Sequence, residues 1–443
     1  MFNKILFTRI GNSQLILFRI IFGLLVALEC YGAMVTGWVE RTLVEPQFTF
    51  SFIGFEWLQP LPGNGMYFYF FIMGTLGIFI MLGYKYRFSV ISFTVLWTAV
   101  YLMQKTSYNN HYYLLILISL FMCFFPANYS HSLDAKLNPR LKGDSMYSYV
   151  KWLIVLQLFI VYTYAGIAKF YGDWFDLRIV RILMLDKAEY YLIGELLQQP
   201  WLHQVVALMG IVFDLLIVPA LLWKPTRKIA FGISIFFHLF NSIVFQIGIF
   251  PYLSLAFTVF FFEPETIRMI FFKKKKPFQA VGIRIPSYKN ILFVLGGIYF
   301  LIQLLLPIRH HFIKDDVLWT EEGHRLSWRM MLRSRSGDIK FKVVNKKTGE
   351  SSNVNLVDHL TKKQSRRIGS YPDFIWQFAQ RLKKGYSENG KDISVYVTSE
   401  VSVNGKPFRE FIDPKVDLAN TKWNYFWHNE WILPSKAAEI PSR

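Results

Sequence analysis

WLIVLQLFIVYTYAGIAKFYGDWF (Trp152–Phe175) sets the terms for the whole chain. Its apolar run reaches Ala168 and stops at a single cation, Lys169. A bilayer crossing needs about 20 such residues, so the run with its aromatic flank reads as a membrane-spanning helix. A lysine at membrane depth costs several kcal/mol unless it is paired or wetted, so Lys169 is either an interfacial anchor or a working group. Small residues just before it, Ala165 and Gly166, permit close helix packing that would bury it, and Gly172-Asp173-Trp174 begins a loop that supplies a carboxylate. Desolvation disfavours an ammonium, so a lysine buried there would be neutral enough to act as a base near neutral pH.

The same greasy texture runs through the first three hundred residues. The 443-residue chain is 53% hydrophobic and 18% aromatic, which excludes a large soluble enzyme. Nine apolar stretches predict spans over Ser13–Val35, Met66–Leu82, Phe88–Met103, Tyr112–Phe125, Trp152–Ala168, Val205–Trp223, Ile229–Phe245, Ile249–Phe262 and Ile291–Leu306. Lys4 and Arg9 precede the first of them, but its apolar stretch exceeds the ~7–15 residues of a secretory signal, and it is expected to be retained. Both cysteines, Cys30 and Cys123, fall inside spans, which leaves no disulfide framework or CxxC metal site. Lys and Arg gather in the N-terminus, Lys85–Arg87, Lys136–Lys142, Lys224–Lys228 and Phe272–Lys289. Across nine spans these segments all fall on one side, so the N-terminus is expected inside and the chain after Leu306 outside. The net charge of +19 is then partly topological, and no nucleic-acid partner is needed to explain it.

On that map KTSYNNHYYL (Lys105–Leu114), the Lys169 segment and QIGIFPY (Gln246–Tyr252) meet at one membrane face. Beyond Pro307 the chain turns polar and charged. KFKVVN and VYVTSEVSV alternate as strands do, Asn404-Gly405 is a hairpin turn, and Tyr371-Pro372 opens a helix to Lys384. The expected fold is therefore a mainly α membrane bundle of about nine transmembrane helices, residues 1–307, followed by an outer, mainly β domain, residues 308–443.

Each polar candidate has a plain structural alternative. Asn109, Asn110 and His111 serve either as a cap or interhelical bond, or as a lining of a site. His238 and Asn241, three apart on one mid-span face, are either a bond across the bundle or functional groups. Met330-Met331 are either core filling or an adaptable wall for a hydrophobic ligand. Metal chemistry has no HExxH or paired cysteines behind it, while a haem between His111 and His238 requires the two helices to adjoin.

KTSYNNHYYL, YAGIAKFYGDW, FHLFNSIVFQIGIFPY, SWRMMLRSRSGDIKFKV and FIDPKVDL, in this order, resemble the vitamin K-dependent gamma-glutamyl carboxylase family and its bacterial relatives with the HTTM membrane domain. The likeness runs from about Phe18-Arg19 to about Trp431. It implies an enzyme that couples carboxylation of protein glutamate to γ-carboxyglutamate with epoxidation of reduced vitamin K, either phylloquinol or menaquinol. Oxygen and carbon dioxide are implied as co-substrates. By position, the resemblance makes Lys169 the base acting on the hydroquinone. It places Asn110, His111 and His238 around the hydroquinone and oxygen pocket, with His111 catalytic, and Met330 and Met331 against the quinone ring. Arg19, Arg87, Asn241 and Arg335 take supporting roles. Animal members carry a second lysine where this chain has Ala168. The implied partners are a glutamate-containing protein or peptide, the lipid bilayer and a lipid-soluble quinol, and the implied location is a bacterial inner membrane with the C-terminal region periplasmic. From Ile308 onward 24 Lys and Arg face 16 Asp and Glu, a balance that favours an acidic peptide or anionic headgroups. The alternatives are a vitamin K epoxidase without carboxylation and a membrane haem- or quinone-binding redox protein.

Overall fold

In lipid every backbone polar group must be satisfied within the chain, so long apolar runs become helices. The computed structural model describes residues 2–279 and 283–436. Among them, seven helices are long and apolar enough to cross a membrane. They are α1 (Ser13–Val35), α2 (Gly65–Leu82), α3 (Tyr86–Met103), α5 (Tyr149–Ile167), α7 (Pro200–Leu222), α8 (Arg227–Phe240, extended by a wide turn to Phe245) and α10 (Lys289–Ile308). The two other predicted spans are shorter apolar helices, α4 (Asn110–Phe124) and α9 (Phe250–Phe257, continued to Phe261 by a tighter turn). A short helix, α6 (Arg178–Leu185), lies between α5 and α7.

Backbones approach closely where α1 crosses α2. A Cβ on Gly23 would stand 2.2 Å from the Met81 backbone nitrogen and 2.7 Å from the Gly77 carbonyl oxygen, so only glycine fits. Gly23→Ala is expected to force these helices apart at a cost of about 1–3 kcal/mol, read as a lower melting temperature of the purified protein. An unchanged melting temperature would show that this crossing yields freely.

The end of the bundle away from the C-terminal region is tied by backbone capping. Strand β1 (Arg9–Gly11) pairs antiparallel with β2 (Ser145–Tyr147). The Arg19 guanidinium donates to the carbonyls of Ile80, Met81 and His131 at 3.0, 2.7 and 2.6 Å, tying the end of α2 to the His131 loop. Arg87 donates likewise to Cys123 and Phe124 at the end of α4. The Asp134 carboxylate accepts from the Lys85 and Tyr86 amides at 2.7 and 2.9 Å and caps α3. Lys275 donates to the Asp144 carbonyl at 3.2 Å, so basic segments distant in sequence share this end.

The C-terminal region carries a four-stranded antiparallel sheet ordered β4-β3-β5-β6, from β3 (Arg335–Asn345), β4 (Ser351–Asn353), β5 (Ile393–Val403) and β6 (Arg409–Glu410). Ile339, Phe341 and Val343 alternate inward on β3, where Phe341 lies opposite Val397 and Val343 opposite Val395, and Val401 of β5, opposite Gly337, joins the same core. Two helices, α11 (Lys362–Ile368) and α12 (Pro372–Glu388), complete the layer, with Phe374, Ile375, Phe378 and Leu382 of α12 buried in the shared core. Asn404 and Gly405 both take positive φ, 54° and 69°, the geometry of a tight hairpin turn, and β5 returns through it to β6.

That turn also binds the bundle. The Asn404 amide donates to the Asp173 carboxylate at 2.9 Å, and Lys406 reaches the same carboxylate at 2.8 Å. Across the KTSYNN loop, Lys363 donates to the Ser107 hydroxyl at 2.7 Å and Arg367 to the Thr106 carbonyl at 2.6 Å. The outer layer is thereby seated directly over the membrane ends of α4 and α5.

Candidate functional site at the junction of bundle and outer layer

A cavity of about 460 Å³ lies at this junction, with Lys169, Asp214, Asn110, His111, Met330 and Met331 among its lining residues. Its lower wall is apolar, built from residues such as Val205, Met209, Phe236 and Phe240 of α7 and α8, while its roof is cationic.

Lys169 follows the C-terminal end of α5 and is only 6% exposed. Gly166 makes this depth possible, since a Cβ there would meet Leu215 of α7 at 2.7 Å. The ammonium Nζ lies 2.6 Å from the Asp214 carboxylate and donates to the Ala165 carbonyl at 3.0 Å. It also sits 5.3 Å from the centre of the Trp174 ring, which is pinned by a 3.2 Å bond from its indole nitrogen to the Ala207 carbonyl. Three features therefore favour the charged amine. The lysine is buried, and of the two ways to offset that burial it takes pairing. The carboxylate is relocated: Asp173 serves Asn404, Lys406 and, at 3.9 Å, Arg178, whereas Asp214 meets the lysine. Asp214 was missed in the sequence although it is the sole carboxylate of Pro200–Leu222, and an acid inside a span is itself a signal.

The Asn-Asn-His cluster divides its work. Asn109 caps α4 by accepting from the Tyr112 amide at 2.8 Å. Asn110 accepts from the Tyr108 hydroxyl at 2.8 Å and donates to the Arg329 carbonyl at 3.3 Å, which joins bundle to roof. His111 stacks on Phe250 with ring centres 4.2 Å apart, and among the described residues its buried Nδ1 has no partner. His238 is placed differently from expectation. It is 1% exposed, bonds through Nε2 to the Tyr162 hydroxyl at 3.0 Å, and stands one layer behind the cavity wall that Tyr162 forms. Its Nδ1, like that of His111, has no partner among the described residues, and both rings pack against Phe250. Asn241 does reach the cavity and donates to the Phe237 carbonyl at 3.0 Å.

Met330 and Met331 are brought over the cavity by an unusual backbone. Leu326, Trp328 and Met331 all have positive φ, near 60°, at roughly 1–2 kcal/mol each for a side chain with a Cβ. Bundle contacts hold the segment in place: the Leu326 amide donates to the Tyr108 hydroxyl at 2.6 Å, and Trp328 stacks on Tyr113 at 5.0 Å. Of the supporting arginines, Arg335 anchors the roof through the Ser370 and Trp319 carbonyls at 2.8 and 2.9 Å. Arg19 and Arg87 cap helices at the opposite end of the bundle and do not touch the cavity.

The roof contains groups that no local pattern marked. Asp373 of α12 bridges Lys105 and Arg325, taking both guanidinium nitrogens of Arg325 at 2.7 and 3.2 Å. Burial pushes the Lys105 ammonium down to about 8 against the opposing pull of Asp373, and the like charge of Arg325 adds to the fall. Burial and the neighbouring arginines 333, 329, 325 and 335 push His324 well below its ordinary value, so it is neutral at physiological pH.

Two family models match the chain in succession: the HTTM domain over residues 7–265, more than half of it, and the vitamin K-dependent gamma-carboxylase lumenal domain over residues 288–438. No solved structure matches it. A membrane-helix bundle with a buried lysine, covered by a layer of the carboxylase lumenal type, thus accounts for nearly the entire sequence, and the chain belongs to the vitamin K-dependent gamma-carboxylase family.

Proposed function

We propose that this protein carboxylates glutamate side chains of a protein or peptide to γ-carboxyglutamate at the expense of a reduced vitamin K-type quinol, and that Lys169 is its base. The observation that carries this reading is the position of Lys169: an amine buried at membrane depth, facing a cavity that is apolar toward the bundle and cationic toward the outer layer.

The residues present fit a quinol. Val205, Phe236 and Phe240 offer an apolar wall for a lipid-soluble tail, Met330 and Met331 offer a polarisable surface for a flat ring, and His111 has a buried nitrogen free to bond a ring oxygen. Bound there, the reduced quinol supplies, by reaction with oxygen, the strong base that glutamate γ-deprotonation requires, and carbon dioxide then adds to the carbon. Lys169 takes the hydroxyl proton that starts this sequence. Asn110 holds the roof at the lip of α4, and Tyr162, fixed by His238, closes the wall below. The seated outer layer excludes water that would quench a strong base. Of the roof cations, Arg333 is already paired with Glu321, and Arg329, which has no carboxylate partner among the described residues, attracts the substrate carboxylate. We place the basic end of the bundle, with the N-terminus, in the cytoplasm and the outer layer in the periplasm of a bacterial inner membrane.

The test is purified protein in detergent with reduced vitamin K, oxygen, labelled bicarbonate and a glutamate-containing peptide, following label and epoxide together. Both products are expected. Epoxide without label would assign an epoxidase, and neither product would overturn the reading.

A further inference from the structure

A base must have somewhere to put a proton, and Lys169 at rest is surrounded by partners of its protonated form. The Asp214 carboxylate at 2.6 Å, the Ala165 carbonyl at 3.0 Å and the Trp174 face all favour an ammonium. Taken alone, such a lysine has no free lone pair to offer. Asp214 is itself 7% exposed, its neighbours along α7 are apolar, and it lines the cavity beside the amine. Lys105, Arg325 and Arg329 line the same cavity and Tyr162 faces it from α5, but Lys169 is the cation within bonding distance of Asp214 among the described residues.

We propose that Asp214 is the proton partner and positioning residue of Lys169, so that the two side chains work as one base, holding one proton between them at rest and two after accepting one. This rests on the reading of Lys169 as the base. The balance is simple. At rest the pair is ammonium and carboxylate, with no net charge. As the O–H bond of the bound substrate breaks, its electron pair stays on the substrate oxygen. The proton enters the pair, forming an N–H bond at Lys169 while one N–H proton moves to a carboxylate oxygen of Asp214. The pair ends as ammonium and carboxylic acid with one positive charge, facing the one negative charge left on the substrate. No oxidant or reductant is required, and no isolated charge is created in the cavity. The 2.6 Å contact is short enough for this transfer without any movement of α7 against α5.

Two pH profiles test the pair, because they move in opposite directions. The first is the rate of quinol consumption. The wild-type pair accepts a proton whenever Asp214 is ionised, whereas in Asp214→Asn the lysine must first lose its own proton to solvent. The acid limb of the rate is therefore expected to shift upward by about one pH unit or more in Asp214→Asn. The second needs no quinol: reductive methylation of Lys169, read by mass spectrometry against pH, reports the neutral amine. Removing the counter-charge frees that amine sooner, so the methylation limb is expected to shift downward by a similar amount. Asp214→Glu keeps the charge and is expected to keep both limbs near the wild type. Asp214→Ser serves the same purpose as the asparagine variant if the amide does not fold. A purely structural Asp214 would alter amplitude and leave both limbs in place, and that result, or limbs moving together, overturns the pair. A wild type inactive with quinol overturns the function reading instead, and with it the transfer step, so the two failures are distinguishable.

Discussion

Lys169→Ala is expected to lose both label incorporation and epoxide formation together, by roughly 10²–10⁴-fold, the range a positioned acid–base group contributes. The joint loss matters more than the size. If Lys169 acts only on the peptide side, carboxylation falls while epoxide continues; if it is an interfacial anchor, both fall only as far as the protein unfolds. The alanine variant removes a buried cation and leaves Asp214 without its partner, so its fold needs its own check. Gel filtration and a melting curve serve, and Lys169→Met, which restores the volume, separates a packing defect from loss of the amine. A folded Lys169→Met with wild-type turnover of both products would sink the base assignment.

The second large effect is expected at Asp373, far from Lys169 in sequence and role. Asp373 is buried and its carboxylate is shared by Lys105 and Arg325, so Asp373→Ala strands a buried and a half-buried cation at the seam between bundle and outer layer. Removing one member of a buried ion pair costs about 3–5 kcal/mol, and here the loss falls on the docking of one layer over the other. The expected result is a lower melting temperature with faster proteolysis of residues 308–436, together with loss of the water-excluded cavity and hence of turnover. Unchanged proteolysis would show that Lys363, Arg367 and Asn404 hold the layer without the triad. The pH dependence has a definite sign. Burial alone would push the Asp373 carboxyl up, but Arg325 and Lys105 outweigh it and hold it below its ordinary 3.8. Its contribution is therefore complete above that value and is lost as the pH falls through the lower, folded-state value.

Much of the site was already visible in the chain as written. KTSYNNHYYL, the Lys169 segment and SWRMM stand out by polar or soft residues at the ends of apolar runs, and all three supply lining residues of one cavity. His238 was singled out for the same kind of reason and proved to stand one layer behind, because a polar residue on a helix declares its need for a partner and not the identity of that partner. Tyr162 meets it at Nε2, while Nδ1 has no partner among the described residues. Asp214 was overlooked within an apolar run, and Asp173, adjacent in sequence to the lysine, faces a hairpin turn of the outer layer instead.

Local chemistry decided the architecture. Apolar runs must become helices in lipid because their backbone groups have no water to bond, and Asn404-Gly405 turns tightly because both positions tolerate positive φ. These are properties of a residue and its near neighbours, so the amino-acid order determined them by itself. The working pairs are of another kind. Lys169 and Asp214 are 45 positions apart, and Lys105 and Asp373 are 268 apart. Each pairing depends on which helix faces which, and that is settled by close approaches such as Gly23 of α1 against α2 and Gly166 of α5 against α7, together with the seating of the outer layer. A buried charge can choose among several partners of opposite sign, and only the packed tertiary structure selects the one within bonding distance.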